Sequence, residues 1–123
     1  MKIILQIHAI IESLAGFVLL LMPQWLLASA TPELQGIAVS KLYGILALCF
    51  GITTYIISTE FQYNNLYKKI ILVIIGFHVA VGLYMYSLYD QNITHHIGAA
   101  SLHIILAILF LIIYLQKIEK FNA

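Results

Sequence analysis

The chain has 123 residues, of which 63% are hydrophobic and 9% charged, with a formal net charge of +1. Soluble domains carry about 25% charged residues, so polar side chains are too scarce here to clothe a water-exposed shell, and the near-neutral charge gives no electrostatic basis for binding nucleic acid. All six basic residues are Lys, which removes the bidentate Arg clamp for phosphate or carboxylate, and the single cysteine, Cys49, excludes an intrachain disulfide and a Cys-based metal motif.

The first apolar run, residues 3–22, reads as a membrane span. Lys2, this run and Ala28-Ser29-Ala30 imitate a cleavable signal peptide. The run is longer than a typical signal core and contains His8 and Glu12, so we expect it to remain as a span. His8 and Glu12 stand four positions apart and share one helix face. Pro23 suits the first turn of a short helix over residues 24–28, in which Trp25 is an interfacial anchor. Thr31-Pro32-Glu33 reads as a helix start, with Thr31 as N-cap and Glu33 in the first turn.

The second span, 37–58, carries Ser40, Gly44, Ala47, Gly51, Thr54 and Ser58 in steps of four and three. Such a stripe of small residues lets another helix approach closely in lipid. It is also the surface through which a second copy or a complex partner is expected to dock. Thr59 to Lys69 reads as a polar break. In the third span, 70–89, Gly76, Ala80 and Ser87 mark one face and His78, Gly82 and Met85 another. Asp90-Gln91-Asn92 is a turn, and Thr94 is placed to cap the fourth helix. That span, 97–115, presents Ala100, His103, Ala107, Phe110 and Tyr114 on one face, followed by a polar tail from Gln116.

The expected fold is therefore all-α, a single domain forming an integral-membrane, up-down four-helix bundle. Lys2, Lys68, Lys69, Lys117 and Lys120 fall at one side and only Lys41 at the other, which places both termini in the cytoplasm. Tyr43, Tyr84, Tyr86 and Tyr89 near one boundary, and Tyr55, Tyr63, Tyr67 and Tyr114 near the other, read as aromatic belts.

A helix rises about 1.5 Å per residue. Glu12, His78 and His103 thus lie roughly 14, 12 and 18 Å from the inner boundary of a hydrocarbon core about 30 Å thick. Each histidine has a small residue four positions later, Gly82 and Ala107. A carboxylate at that depth costs roughly 3 kcal/mol on insertion scales, so Glu12 is expected to face inward toward His78 or His103, with His8 shallower on the same face. The bland reading is a hydrogen-bonded cluster that fixes helix register. The sharper readings are a divalent metal held by the Glu and two His, a haem between two His, a quinone or lipid-like ligand, or a proton relay. No E-x-x-H or H-E-x-x-H motif selects among them. His95-His96 reads as a wet helix start rather than a metal site, Cys49 as a small apolar packing residue, and Lys41 as a snorkelling cation.

The chain resembles the small, loosely DoxX-like four-helix bacterial membrane proteins. The resemblance rests on Glu12-Ser-Leu-Ala-Gly16, Pro23-Gln-Trp-Leu-Leu27, and Lys41-Leu-Tyr-Gly44-Ile-Leu-Ala-Leu-Cys-Phe-Gly51. It continues through His78 and Leu102-His103, spanning roughly residues 8 to 115, with Lys41 standing where such proteins often have Arg. It implies the four-helix fold and a bacterial cytoplasmic membrane, and no particular activity. Two functional expectations follow. One is a non-enzymatic accessory or interaction module with a buried Glu/His cluster. The other is an intramembrane site for a metal, haem, quinone or lipid-like ligand at Glu12, His78 and His103, with redox or proton-transfer chemistry.

Overall fold

The computed structural model describes residues 1–27, 33–62 and 64–122, with side chains through Gln116. Among these the chain is all-helical: α1 (Lys2–Leu21), a single 3-10 turn (Pro23–Trp25), α2 (Leu34–Thr59), α3 (Asn65–Asp90) and α4 (Ile97–Asn122). At about 1.5 Å per residue α1 alone reaches about 30 Å, and all four helices are long and apolar enough to cross a membrane. The residues group into two compact units, Met1–Phe61 with Gln91–His95, and Gln62–Asp90 with His96–Ala123. Each is built on one helical hairpin, α1 with α2 and α3 with α4.

The first hairpin is antiparallel and backbone-close. A Cβ placed on Gly16 would stand 2.6 Å from the Gly44 carbonyl oxygen, and one on Gly51 would stand 2.8 Å from the carbonyl oxygen of Ala9. As α1 numbers fall, α2 numbers rise. The six small residues expected as a seam, Ser40, Gly44, Ala47, Gly51, Thr54 and Ser58, are the buried residues of α2. That seam faces α1 of the same chain. Gly44 and Gly51 lie against Gly16, Ala9 and Ser13.

The second hairpin is also antiparallel, since His78 meets His103 while Gly82 packs on Ala100 and Ile104. Of the two faces read on α3, the one with His78, Gly82 and Met85 is buried, extended by Tyr67, Ile71 and Ile74. Gly76 and Ala80 are exposed. On α4 the expected face is inward, with Ala100, His103, Ala107 and Phe110 buried. Large apolar side chains such as Ile10, Phe17, Leu46, Val73, Leu83 and Ile105 are exposed. In water an apolar surface this extensive is a liability; hydrocarbon removes it.

Helix ends differ from the sequence reading in several places. Asn64 caps α3, its Oδ1 accepting the Tyr67 amide at 3.1 Å. The polar break therefore ends early, and Lys68 and Lys69 lie in the first helical turns. Asp90 closes α3 rather than opening the turn, and Asn92 takes φ 56°. This left-handed residue just past a helix end suits Asn, whose short side chain tolerates it. The fourth helix starts at Ile97, three residues beyond the buried Thr94. Residues 116–122 continue α4 where a polar tail was expected. After Met22 the chain makes a 3-10 turn over Pro23–Trp25 that ends at Leu26, short of the expected helix over 24–28, whose last residue lies outside the described residues. Glu33 holds the cap position of α2 rather than its first turn. Cys49 is exposed and does not pack in the interior, which corrects its expected role. Ala28 to Pro32, and with them the Thr31-Pro32 helix start, lie outside the described residues, as does Tyr63.

Candidate functional site: two buried pairs of ionisable side chains

Within α1, a helical spacing of four puts His8 and Glu12 one above the other on the face that also carries Leu5, Ala9 and Gly16. All five are buried. His8 Nε2 lies 3.8 Å from Glu12 Oε1, within ion-pair range and too long for a hydrogen bond. Phe50 of α2 meets the His8 ring edge-on at 5.4 Å between centroids. The glycines bring α2 onto this helix: Gly51 packs against Ala9 and Ser13, and Phe50 beside it reaches the His8 ring. The expectation that Glu12 points inward agrees with its 3% exposure.

The second pair spans two helices. His78 of α3 and His103 of α4 are both buried, and their Nδ1 atoms are 2.8 Å apart. That is hydrogen-bond distance. One ring must therefore donate an Nδ1–H and the other accept on a bare Nδ1, which fixes complementary tautomers. Phe77 meets both rings edge-on, and Phe110 stacks on His78 with an interplanar angle of 10°. The imidazoles thus sit in an aromatic frame supplied by their own hairpin.

Gly82, one turn beyond His78, touches the Ile104 side chain next to His103, so the helices stay close just past the pair. From that level an apolar groove of about 430 Å³ runs along the hairpin between Gly82, Leu83 and Tyr86 of α3 and Ala100, Ser101 and Ile104 of α4. The imidazoles do not line it.

The four residues singled out in the sequence are thus all buried; within the first hairpin His8 lies beside Glu12, and within the second His78 meets His103. Phe50, Phe77 and Phe110, which contact the histidines, were not anticipated as site residues. Their one available signal was helical spacing, Phe77 next to His78 and Phe110 two turns from His103. Aromatic residues are too common in this chain for that spacing to stand out. His95 and His96 are exposed at the α4 start, as expected of a wet helix end.

Comparison of the chain with protein families, with curated proteins and with solved structures gives no match. The functional reading therefore rests on the residues themselves.

Proposed function

We propose that the protein is a non-enzymatic accessory or interaction module of a bacterial cytoplasmic membrane, loosely DoxX-like, crossing the bilayer four times with both termini inside. The observation that carries this reading is where the ionisable groups go. Both pairs are buried, the helices of each hairpin pack closely, and the exposed surface is rich in large apolar side chains. A partner would engage the exposed apolar helix surfaces, because the small-residue seam is already filled. The lysine asymmetry of five to one supports the orientation. Labelling of single cysteines at positions 2 and 121 from either side of intact membranes tests it, in a Cys49→Ser background. Both sites should react only from the cytoplasm, and reaction of either from outside refutes the orientation. Isolation in mild detergent tests the accessory role: a stable co-purifying membrane protein is expected, and a protein that purifies as a monomer without any other chain refutes it.

One observation favours a second reading, that the hairpin α3–α4 binds a ligand. Two imidazoles meeting inside a membrane-length apolar hairpin are costly unless used. Absorbance, metal analysis and mass spectrometry of the purified protein test this reading.

A further inference from the structure

We infer that the groove on the α3–α4 hairpin binds one glycerophospholipid with a primary-amine headgroup. One acyl chain lies along the groove and the headgroup sits at the C-terminal end of α3. The inference rests on the membrane-crossing reading above and is independent of the imidazole pair. The dimensions of the groove select its occupant. Its volume is about 430 Å³. Its α4 wall runs from Ile97 to Ile105, which spans about 12 Å at the helical rise. The mean cross-section is then about 36 Å², less than half the roughly 80 Å² of a helix 10 Å across. A helix of a second copy is too wide to enter, whereas a single hydrocarbon chain fits. The buried Gly82 and Ala100 form the floor, where longer side chains would fill the space.

Hydrophobicity alone does not hold a lipid there, because the surrounding tails are as apolar as the groove. Polar groups must select it. Two hydroxyls line the otherwise apolar groove, those of Tyr86 on α3 and Ser101 on α4, and both residues are exposed. Gly82 lies against Ala100, so in this antiparallel hairpin Tyr86 stands one turn further along, level with the start of α4. Helical side chains lean toward the N-terminus of their own helix. Tyr86 therefore leans inward along the groove while Ser101 leans back toward its end, and the two hydroxyls approach one depth. A hydroxyl facing hydrocarbon is costly without an acceptor, and a diacyl glycerolipid brings two ester carbonyls. Asp90 follows Tyr86 by four residues on the same face of α3 and is exposed, so its carboxylate can accept from an ammonium N–H. His96, exposed immediately before Ile97, offers a ring N–H to the phosphate. The lysines of α3 and α4 all stand at the opposite ends of these helices, which favours a zwitterionic head over an anionic one.

The test uses full-length protein, delipidated in detergent, and native mass spectrometry with added phosphatidylethanolamine or phosphatidylcholine of identical acyl chains. The quaternary amine of phosphatidylcholine has no N–H to donate. One lipid per chain is expected, with phosphatidylethanolamine held about tenfold more tightly, the scale of one hydrogen bond to a charged group. Asp90→Ala should remove that preference and leave phosphatidylcholine binding as in the wild type. Ser101→Leu fills the groove and should lose both lipids. Val73→Trp, at an exposed position of α3 outside the groove, should bind as the wild type does. If Ser101→Leu fails to fold by far-UV circular dichroism, Tyr86→Phe decides: loss of the hydroxyl should weaken both lipids, and unchanged binding overturns the site. Equal retention of the two lipids by the wild type, or loss of lipid in Val73→Trp as in Ser101→Leu, also overturns it. A lipid-free dimer that dissociates in Ser101→Leu would assign the groove to a second copy and refute the lipid. Alkaline carbonate extraction of native membranes separates this inference from the reading beneath it. Release of the protein without detergent refutes the membrane crossing itself, while retention in the membrane with no lipid held in the groove refutes the site alone.

Discussion

Gly16 offers the sharpest test of how the first hairpin is held. A Cβ at this position would stand 2.6 Å from the Gly44 carbonyl oxygen, 2.6 Å from the Leu48 amide nitrogen and 2.9 Å from Leu48 Cγ. Ordinary carbon contacts lie near 3.5 Å or beyond, so Gly16→Ala must push the helices apart by roughly 0.8 Å. Two of the three obstacles are backbone atoms of α2, which no rotamer change can clear. Overpacking of this kind costs about 1–3 kcal/mol. Replacing a helical Gly by Ala returns up to about 1 kcal/mol, leaving a net loss of roughly 0–2 kcal/mol. Gly76→Ala is the matched control. Nothing lies within 4 Å of its Cβ position, so only the propensity gain remains and stability should hold or rise by up to about 1 kcal/mol. Equilibrium unfolding in mixed detergent–SDS micelles, followed by far-UV circular dichroism, measures both. A Gly16→Ala variant that shifts as Gly76→Ala does would refute the backbone-contact account of the hairpin. Gly44→Leu and Gly51→Leu meet backbone as well and should lose more than Gly16→Ala in the same assay.

The remaining predictions use the same unfolding measurement. His78→Leu and His103→Leu should each cost about 1–3 kcal/mol, because the surviving imidazole stays buried without its hydrogen-bond partner. The double variant should cost clearly less than the sum, and strict additivity would mean that the 2.8 Å contact is not energetically coupled. Glu12→Gln should be milder than Glu12→Leu, since an amide keeps part of the polar interaction beside His8; equal losses would show that burial of volume alone matters there. Asn64→Ala should remove about 1 kcal/mol through loss of the α3 cap, and an unchanged unfolding midpoint would show that this helix end frays in solution.

Most of the helical framework was legible in the sequence, and the reason is physical. An apolar run of membrane length must satisfy its backbone internally, so each long run announces a helix. Small residues at steps of three and four mark where one helix can approach another, and all six such positions on α2 are buried. The lower half of the α3 interface, Tyr67, Ile71 and Ile74, was not legible. A helix that is apolar all round shows no contrast between inward and outward faces. Helix ends were also misjudged, because a single side-chain cap such as Asn64 moves a boundary by a full turn, and apolar patterning does not register it.

Sequence depth and the cost of buried charge were enough to single out His8, Glu12, His78 and His103 as inward-facing groups. Which histidine meets which atom was beyond that argument. The His78–His103 contact requires the axial register of α3 against α4, set by Gly82 on Ala100 and Ile104, together with the ring orientations fixed by Phe77 and Phe110. The seam on α2 shows the same division: its composition declares that a helix will pack closely there, but only the turn after α1 and the position of Gly16 decide that the helix comes from the same chain. Spacing along a chain fixes the face a residue occupies, whereas hydrogen bonds act over tenths of an ångström, and that scale is set by how the helices lock together.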